Sequence, residues 1–219
     1  AEPASAPIIS PAQPPVDKHL KPILSALQLN DPAQIARVSE VTGNYYTALH
    51  IWHTANDTQV KELWNDFNQA RSAQNVTNAN AALAKLATLY AGFKPGHEAF
   101  VQGLAAVLTP VQVEAVKDAL TVNKVKVTYG VYLQIFPQLT EAQKAVVLAD
   151  LKQAREEAID CESMAEKSAF FKKYKIKIED EYLTAQGYDC KQARKDFAAK
   201  SKAAKGDAEK PAAAAPKAE

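Results

Sequence analysis

The sequence predicts an all-α protein: a single-domain bundle of about seven helices, crossed by one irregular segment and flanked by disordered ends. Three observations carry that prediction. Apolar residues recur every three or four positions through the middle of the chain, and no run alternates with the period of two of a half-buried strand. Helix-start signals fall where those apolar stripes begin. Composition changes sharply at both ends.

Residues 1–15 are mostly Ala, Pro and Ser, and residues 203–219 are mostly Ala, Lys, Glu and Pro. Neither segment has enough apolar surface to offset the entropy of ordering it. The expected organisation is therefore a disordered segment over 1–15, a helical domain over 16–202 and a disordered tail over 203–219. The net charge of +1 gives no electrostatic footprint for nucleic acid. No stretch approaches the ~18 apolar residues of a membrane span. The opening Ala1-Glu2-Pro3 suits a mature chain after signal cleavage, so a secreted or periplasmic bacterial location is expected.

The elements follow in order. A first helix is expected over about 18–29, with Pro22 tolerable in its first turn. Asn30-Asp31-Pro32 then places an acceptor and a proline at a helix start. Ile35, Val38, Thr42, Tyr45, Leu49 and Trp52 form the buried stripe that follows. Thr54 to Asp57 reads as a helix end, with Asp57 capping a further helix that carries Val60, Leu63, Trp64 and Phe67. Helices over about 81–90 and 97–107 come next, parted by Phe93 to Gly96.

Thr109 with Gln112, and Thr140 with Gln143, have the spacing of capping boxes and open helices to about 120 and 159. Between them, residues 121–138 are β-branched and aromatic, with Gly130 and Pro137 inside. They read as the irregular crossing segment, with a short helix near 130–136. A last pair of helices covers about 165–186, ended at Gly187, and 190–199 behind Asp189.

Cys161 falls just past one long helix and Cys190 opens the last one. A helical hairpin between them would bring the two together, so a disulfide is expected, with two buried thiols as the alternative.

Residues across about 24–197 carry a resemblance to a known family. They include the run from Asn30 to Val38, His53 to Asp57, Leu108 to Val113, Val127 to Tyr129 with Tyr132, Ala154 to Ala158, Phe171 to Tyr174, and Ala185 to Tyr188. Together they resemble a helical family of secreted bacterial proteins of unknown function, often encoded near genes for degrading pectin-type plant polysaccharides. The resemblance implies an extracytoplasmic place and a carbohydrate context, and it assigns no catalytic residue. Leu108 to Gln112 and Leu139 to Gln143 also resemble the repeated Leu-Thr-x-x-Gln motif of small periplasmic stress chaperones. A capping box after a buried leucine produces the same letters.

Three groups of residues are candidate sites. His50, His53 and Asp57 lie at i, i+3 and i+7, and would share a face as metal ligands if one helix ran through them. The helix end expected at Thr54 to Asp57 argues against that, and no metal or other cofactor is expected. Trp52, Trp64, Tyr45 and Tyr46 have the chemistry of a sugar-stacking platform, but their helical spacing favours core packing, with one of the adjacent tyrosines exposed. The crossing segment supplies the third group: Lys117, Asp118, Lys126, Tyr129 and Tyr132, joined by Arg155 of the next helix. Cationic and phenolic donors suit a carboxylate-bearing ligand. The competing reading is a strut with its tyrosines in the core and its lysines in solvent.

No phosphate loop, nucleophile elbow or zinc-type His-Glu pair is present. The acids Glu156-Glu157 and Glu179-Asp180-Glu181 read as solvated helix faces. The functional expectation is a non-catalytic binding or accessory protein whose partner is an acidic oligosaccharide or another secreted protein. A chaperone-like protein and an unrecognised polysaccharide-acting enzyme are the alternatives.

Overall fold

The computed structural model describes residues 17–208, with side chains over 19–202. The fold is all-α, and there is no strand among the described residues. The helices are α1 (Asp17–Leu27), α2 (Pro32–Ser72), α3 (Val76–Tyr90), α4 (Lys94–Ala105), α5 (Pro110–Leu120), α6 (Lys124–Ile135), α7 (Glu141–Ala158), α8 (Met164–Ile176) and α9 (Cys190–Ala208). A 3-10 turn, Ala91–Phe93, joins α3 to α4, and a π-helical stretch, Lys177–Leu183, prolongs α8. No described helix is long and apolar enough to cross a membrane. The expected disordered segment 1–15 lies outside the described residues. So does most of the expected tail, although α9 runs to Ala208, past the expected boundary at 202.

Two hydrophobic cores share one helix. Ile23 of α1, Val38, Tyr45 and Leu49 of α2, Phe100 and Leu104 of α4, and Val116 of α5 form the first. The second gathers Trp64 and Phe67 of α2, Leu86 of α3, Tyr132 of α6, Leu151 of α7, Phe170 of α8 and Ile178 of the π-helical stretch. Trp52, near the middle of α2, packs against both. Gly103 lets α4 come close to α2, since a Cβ there would meet the Val41 side chain at 3.0 Å.

The continuity of α2 corrects the expected break at Thr54 to Asp57. Asp31 caps the start, its carboxylate accepting from the Ala33 N–H at 2.9 Å, and the helix then runs for 41 residues. Asp57 is no cap. It pairs with Lys61 one turn on, at 2.7 Å, while Asn56 donates to the Trp52 carbonyl. The buried stripe continues through Val60, Trp64 and Phe67, so tertiary packing outweighs a few weak helix formers.

The crossing segment is also regular helix. Val125, Tyr132 and Ile135 share the buried face of α6, and the modest helix cost of its β-branched residues is overridden by that burial. The helix stops at Phe136, whose backbone is held out of the helical region by Pro137. The turn before α6 is strained, because Val122 and Asn123 both have positive φ, 47° and 56°. Thr109, Thr140 and Ser163 each head a complete capping box.

The expected disulfide is absent. Cys161 and Cys190 are both free and buried. The chain does not turn back between them: α8 and its π-helical extension form one rod from Met164 to Leu183, about 30 Å long at ~1.5 Å per residue. The cysteines lie at its opposite ends, far beyond the ~7 Å Cα limit for a bridge. Cys190 donates its thiol to the Glu179 carbonyl at 3.4 Å.

Candidate functional site

The turn after α7, Ile159 to Asp160, is tied down from several directions. From α2, the Tyr45 hydroxyl donates to Asp160 Oδ1 at 2.8 Å, and His53 Nε2 lies 2.9 Å from the Asp160 carbonyl. That contact makes His53 the donor and fixes its tautomer. From α4, His97 Nδ1 lies 3.1 Å from both Asp160 carboxylate oxygens, and its Nε2 lies 3.5 Å from Glu156 Oε2. The imidazole therefore faces a carboxylate on each side.

The hydrogen bond to Asp160, reinforced by Glu156, raises the His97 pKa to about 9 against the opposing effect of burial. Burial alone would raise the Glu156 pKa, but hydrogen bonds from His97 and Lys117 pull it down to about 2. Near neutrality the pair is an imidazolium and a carboxylate, stably charged.

A charged seam continues from Glu156. Lys117 Nζ donates to its Oε2 at 3.0 Å. Arg155, only 2% exposed, donates to Asp118 at 2.7 Å, Glu114 at 2.9 Å and Glu156 at 3.0 Å. Its Nε is buried without an acceptor among the described residues. Lys167 lies on the inner side, where its ammonium donates to the Leu120 carbonyl at 2.9 Å and the Ile159 carbonyl at 3.4 Å. A buried cation thus sits at the negative ends of α5 and α7, and burial lowers its pKa.

Above this seam a cleft of about 320 Å³ opens between α3, α4 and α7. Glu156, Glu157, Asp160, His97 and Lys94 bring their polar groups to it, and Ala87, Tyr90 and Ala91 supply apolar wall.

The structure brings together only half of the residues proposed from sequence. Lys117, Asp118 and Arg155 meet in the seam, but their charges are already engaged by one another and by Glu114 and Glu156. Tyr132 is buried in the second core and donates to Glu179 at 2.6 Å. Tyr129 is half-buried against that core, and Lys126 is exposed. Glu179, presented by the π-helical stretch, also receives the Arg194 guanidinium of α9. The single expected site is thus two separate networks.

The other candidates resolve differently. His50, His53 and Asp57 do lie on one helix, but His53 is buried on Asp160 and Asp57 is exposed on Lys61. No metal-holding group of three ligands exists among the described residues. Tyr45 and Tyr46 are both buried, which corrects the expectation that one is exposed, and Trp64 is core. Of the acids read as solvated, Glu156 and Glu157 line the cleft and Glu179 is only 13% exposed.

Sequence reasoning missed the meeting of Asp160 with His97. The available signal was the i, i+4 spacing of Glu156 and Asp160 at the close of a helix, opposite the first turn of α4.

The match to a family profile covers residues 15–203. The chain belongs to the DUF3826 family, which is described as a protein of unknown function. No curated protein matches it.

Proposed function

We propose that this chain is a non-catalytic binding or accessory protein of extracytoplasmic polysaccharide handling, and that it takes the hydroxyl groups of a sugar in the cleft over His97, Glu156 and Asp160. The carrying observation is that carboxylate acceptors, held in place by the His97 imidazolium between them, line an open cleft beside an apolar wall. Carboxylates accept from neighbouring hydroxyls, and a few placed polar groups on an apolar wall are the usual composition of a small-ligand site. The secreted setting is an expectation from the sequence, and the pectin-type context rests on the resemblance alone.

The ligand charge follows from the lining. The lining itself carries three carboxylates, Glu156, Glu157 and Asp160, against Lys94 and His97, and Lys94 pairs with Glu98 at 3.6 Å. Lys117 and Arg155 reach Glu156, and Lys173 reaches Glu157, from outside the lining. The cations expected to hold an acidic sugar, Lys117 and Arg155, are already neutralised. A neutral, hydroxyl-rich sugar therefore fits better than an acidic one.

Two features support binding over chemistry. An acid with a pKa of about 9 and a base with a pKa of about 2 are both poorly matched to proton transfer near neutrality. The Leu-Thr-x-x-Gln pair is accounted for by helix capping, which leaves the chaperone reading without a feature of its own.

Calorimetric titration with neutral hexose oligomers and galacturonate oligomers tests the proposal. Neutral oligomers should release heat and galacturonates should bind more weakly. Ala91→Trp, which fills the cleft mouth without touching the polar network, should abolish the signal. Absence of heat with both ligand sets, or unchanged affinity in the tryptophan variant, overturns it.

A further inference from the structure

A second concavity, of about 240 Å³, opens where α2 gives way to α3, against one face of α8. Its floor is apolar. Phe67, Ala79, Leu83 and Ala169 are buried beneath it, and Val76, 57% exposed, stands at its edge. Its charges are all of one sign, for Arg71, Lys172 and Lys173 line it and no Asp or Glu does. Lys173 is engaged by Glu157 at 3.0 Å, whereas Arg71 and Lys172 form no ion pair among the described residues. In a chain of net charge +1, two cations without an acidic partner at the rim of one apolar groove are a local feature and not a general excess.

We infer that this groove binds a small monocarboxylate with an apolar body. Its carboxylate meets Arg71 and Lys172 at the rim, and its body lies over Phe67 and Leu83. A neutral apolar ligand would leave the cations unanswered, and a fully polar anion would leave the floor wet. Charge-assisted contacts to guanidinium and ammonium together with apolar burial satisfy both parts. The volume is below the ~300–1,000 Å³ of drug-sized pockets, so the ligand is a short chain or a single ring.

The test is calorimetry on the whole protein at low salt, with octanoate as probe and octanol as its uncharged counterpart. Octanoate should bind saturably, with octanol at least about tenfold weaker. The double variant Arg71→Gln, Lys172→Gln should lose about tenfold in octanoate affinity. Val76→Asp, on an exposed position, should do the same while the far-ultraviolet dichroism stays that of the wild type. The cleft-filling Ala91→Trp should leave octanoate binding unchanged, which separates this site from the sugar cleft. No saturable octanoate binding, equal affinity for octanol, or a double variant that binds as the wild type overturns the inference.

Discussion

Two charged networks hold residues that the sequence groups into one site, and they differ in what covers them. The Arg155 seam and the Glu179 network both pair a guanidinium with carboxylate and draw in a tyrosine or imidazole. The first is roofed by open space, because α3 and α4 stand away from the end of α7 and leave the cleft. The second is closed by α9, and Tyr132, Glu179 and Arg194 satisfy one another. Like chemistry is covered differently in the two: the closed network joins α6, the π-helical stretch and α9, and the open one borders the cleft proposed to take a sugar. The α5–α6 turn, with positive φ at Val122 and Asn123, lies between Lys117 and Tyr132 in the chain.

The largest expected contrast is between the two arginines. Arg155→Met removes a buried cation and leaves Asp118 without its ion-pair partner, and should cost about 3–5 kcal/mol in urea unfolding. Arg194→Met, at a side chain 38% exposed, should cost only about 1–2 kcal/mol, with Tyr132 still donating to Glu179. Equal costs would erase the distinction between the networks.

Next in size is the pH dependence of the open network. The folded pKa of His97 is raised to about 9 from an ordinary 6.5. Its stabilisation is therefore complete below about pH 6.5 and lost as the pH rises through about 9, on the order of 3 kcal/mol in all. Glu156, depressed to about 2, works in the opposite direction and loses its contribution as the pH falls from about 4.5 through about 2. Nuclear magnetic resonance titration should place the His97 midpoint near 9, and Asp160→Asn should lower it. A midpoint that stays put in Asp160→Asn would show that Asp160 does not hold the imidazolium.

Smaller effects test the frame. Thr140→Ala removes the acceptor for the Gln143 N–H and should cost about 1 kcal/mol. Val122→Gly relieves a β-branched residue with φ of 47° and should raise the stability by about 1 kcal/mol in thermal melts. A destabilised glycine variant would mean that the α5–α6 turn is not strained.

The sequence was legible where one helix carries its own signal. The stripes of α2, α5 and α7 and the boxes at Thr109 and Thr140 can be read from spacing alone. It was illegible where a distant element decides. Nothing local says that Thr54 to Asp57 stays helical, because Val60 and Trp64 hold it there by packing. Residues 121–138 have strand-like composition, and only the burial of Val125 and Tyr132 makes them helix. The cleft was hidden for the same reason: Glu156 and Asp160 look like solvated acids until His97, some sixty positions earlier, is laid across them. The cysteines misled because a turn was assumed where α8 runs straight on.

The length of α2 has a consequence for how the molecule comes apart. At 41 residues it spans about 60 Å, and its two halves serve different cores. Releasing either core strips apolar cover from the same rod, and Trp52 loses partners in both events. The halves are therefore mechanically coupled, and a weakness in one is felt in the other. Backbone amides around Trp52 should exchange with solvent only through global opening, and a single calorimetric transition should mark the melting of both cores.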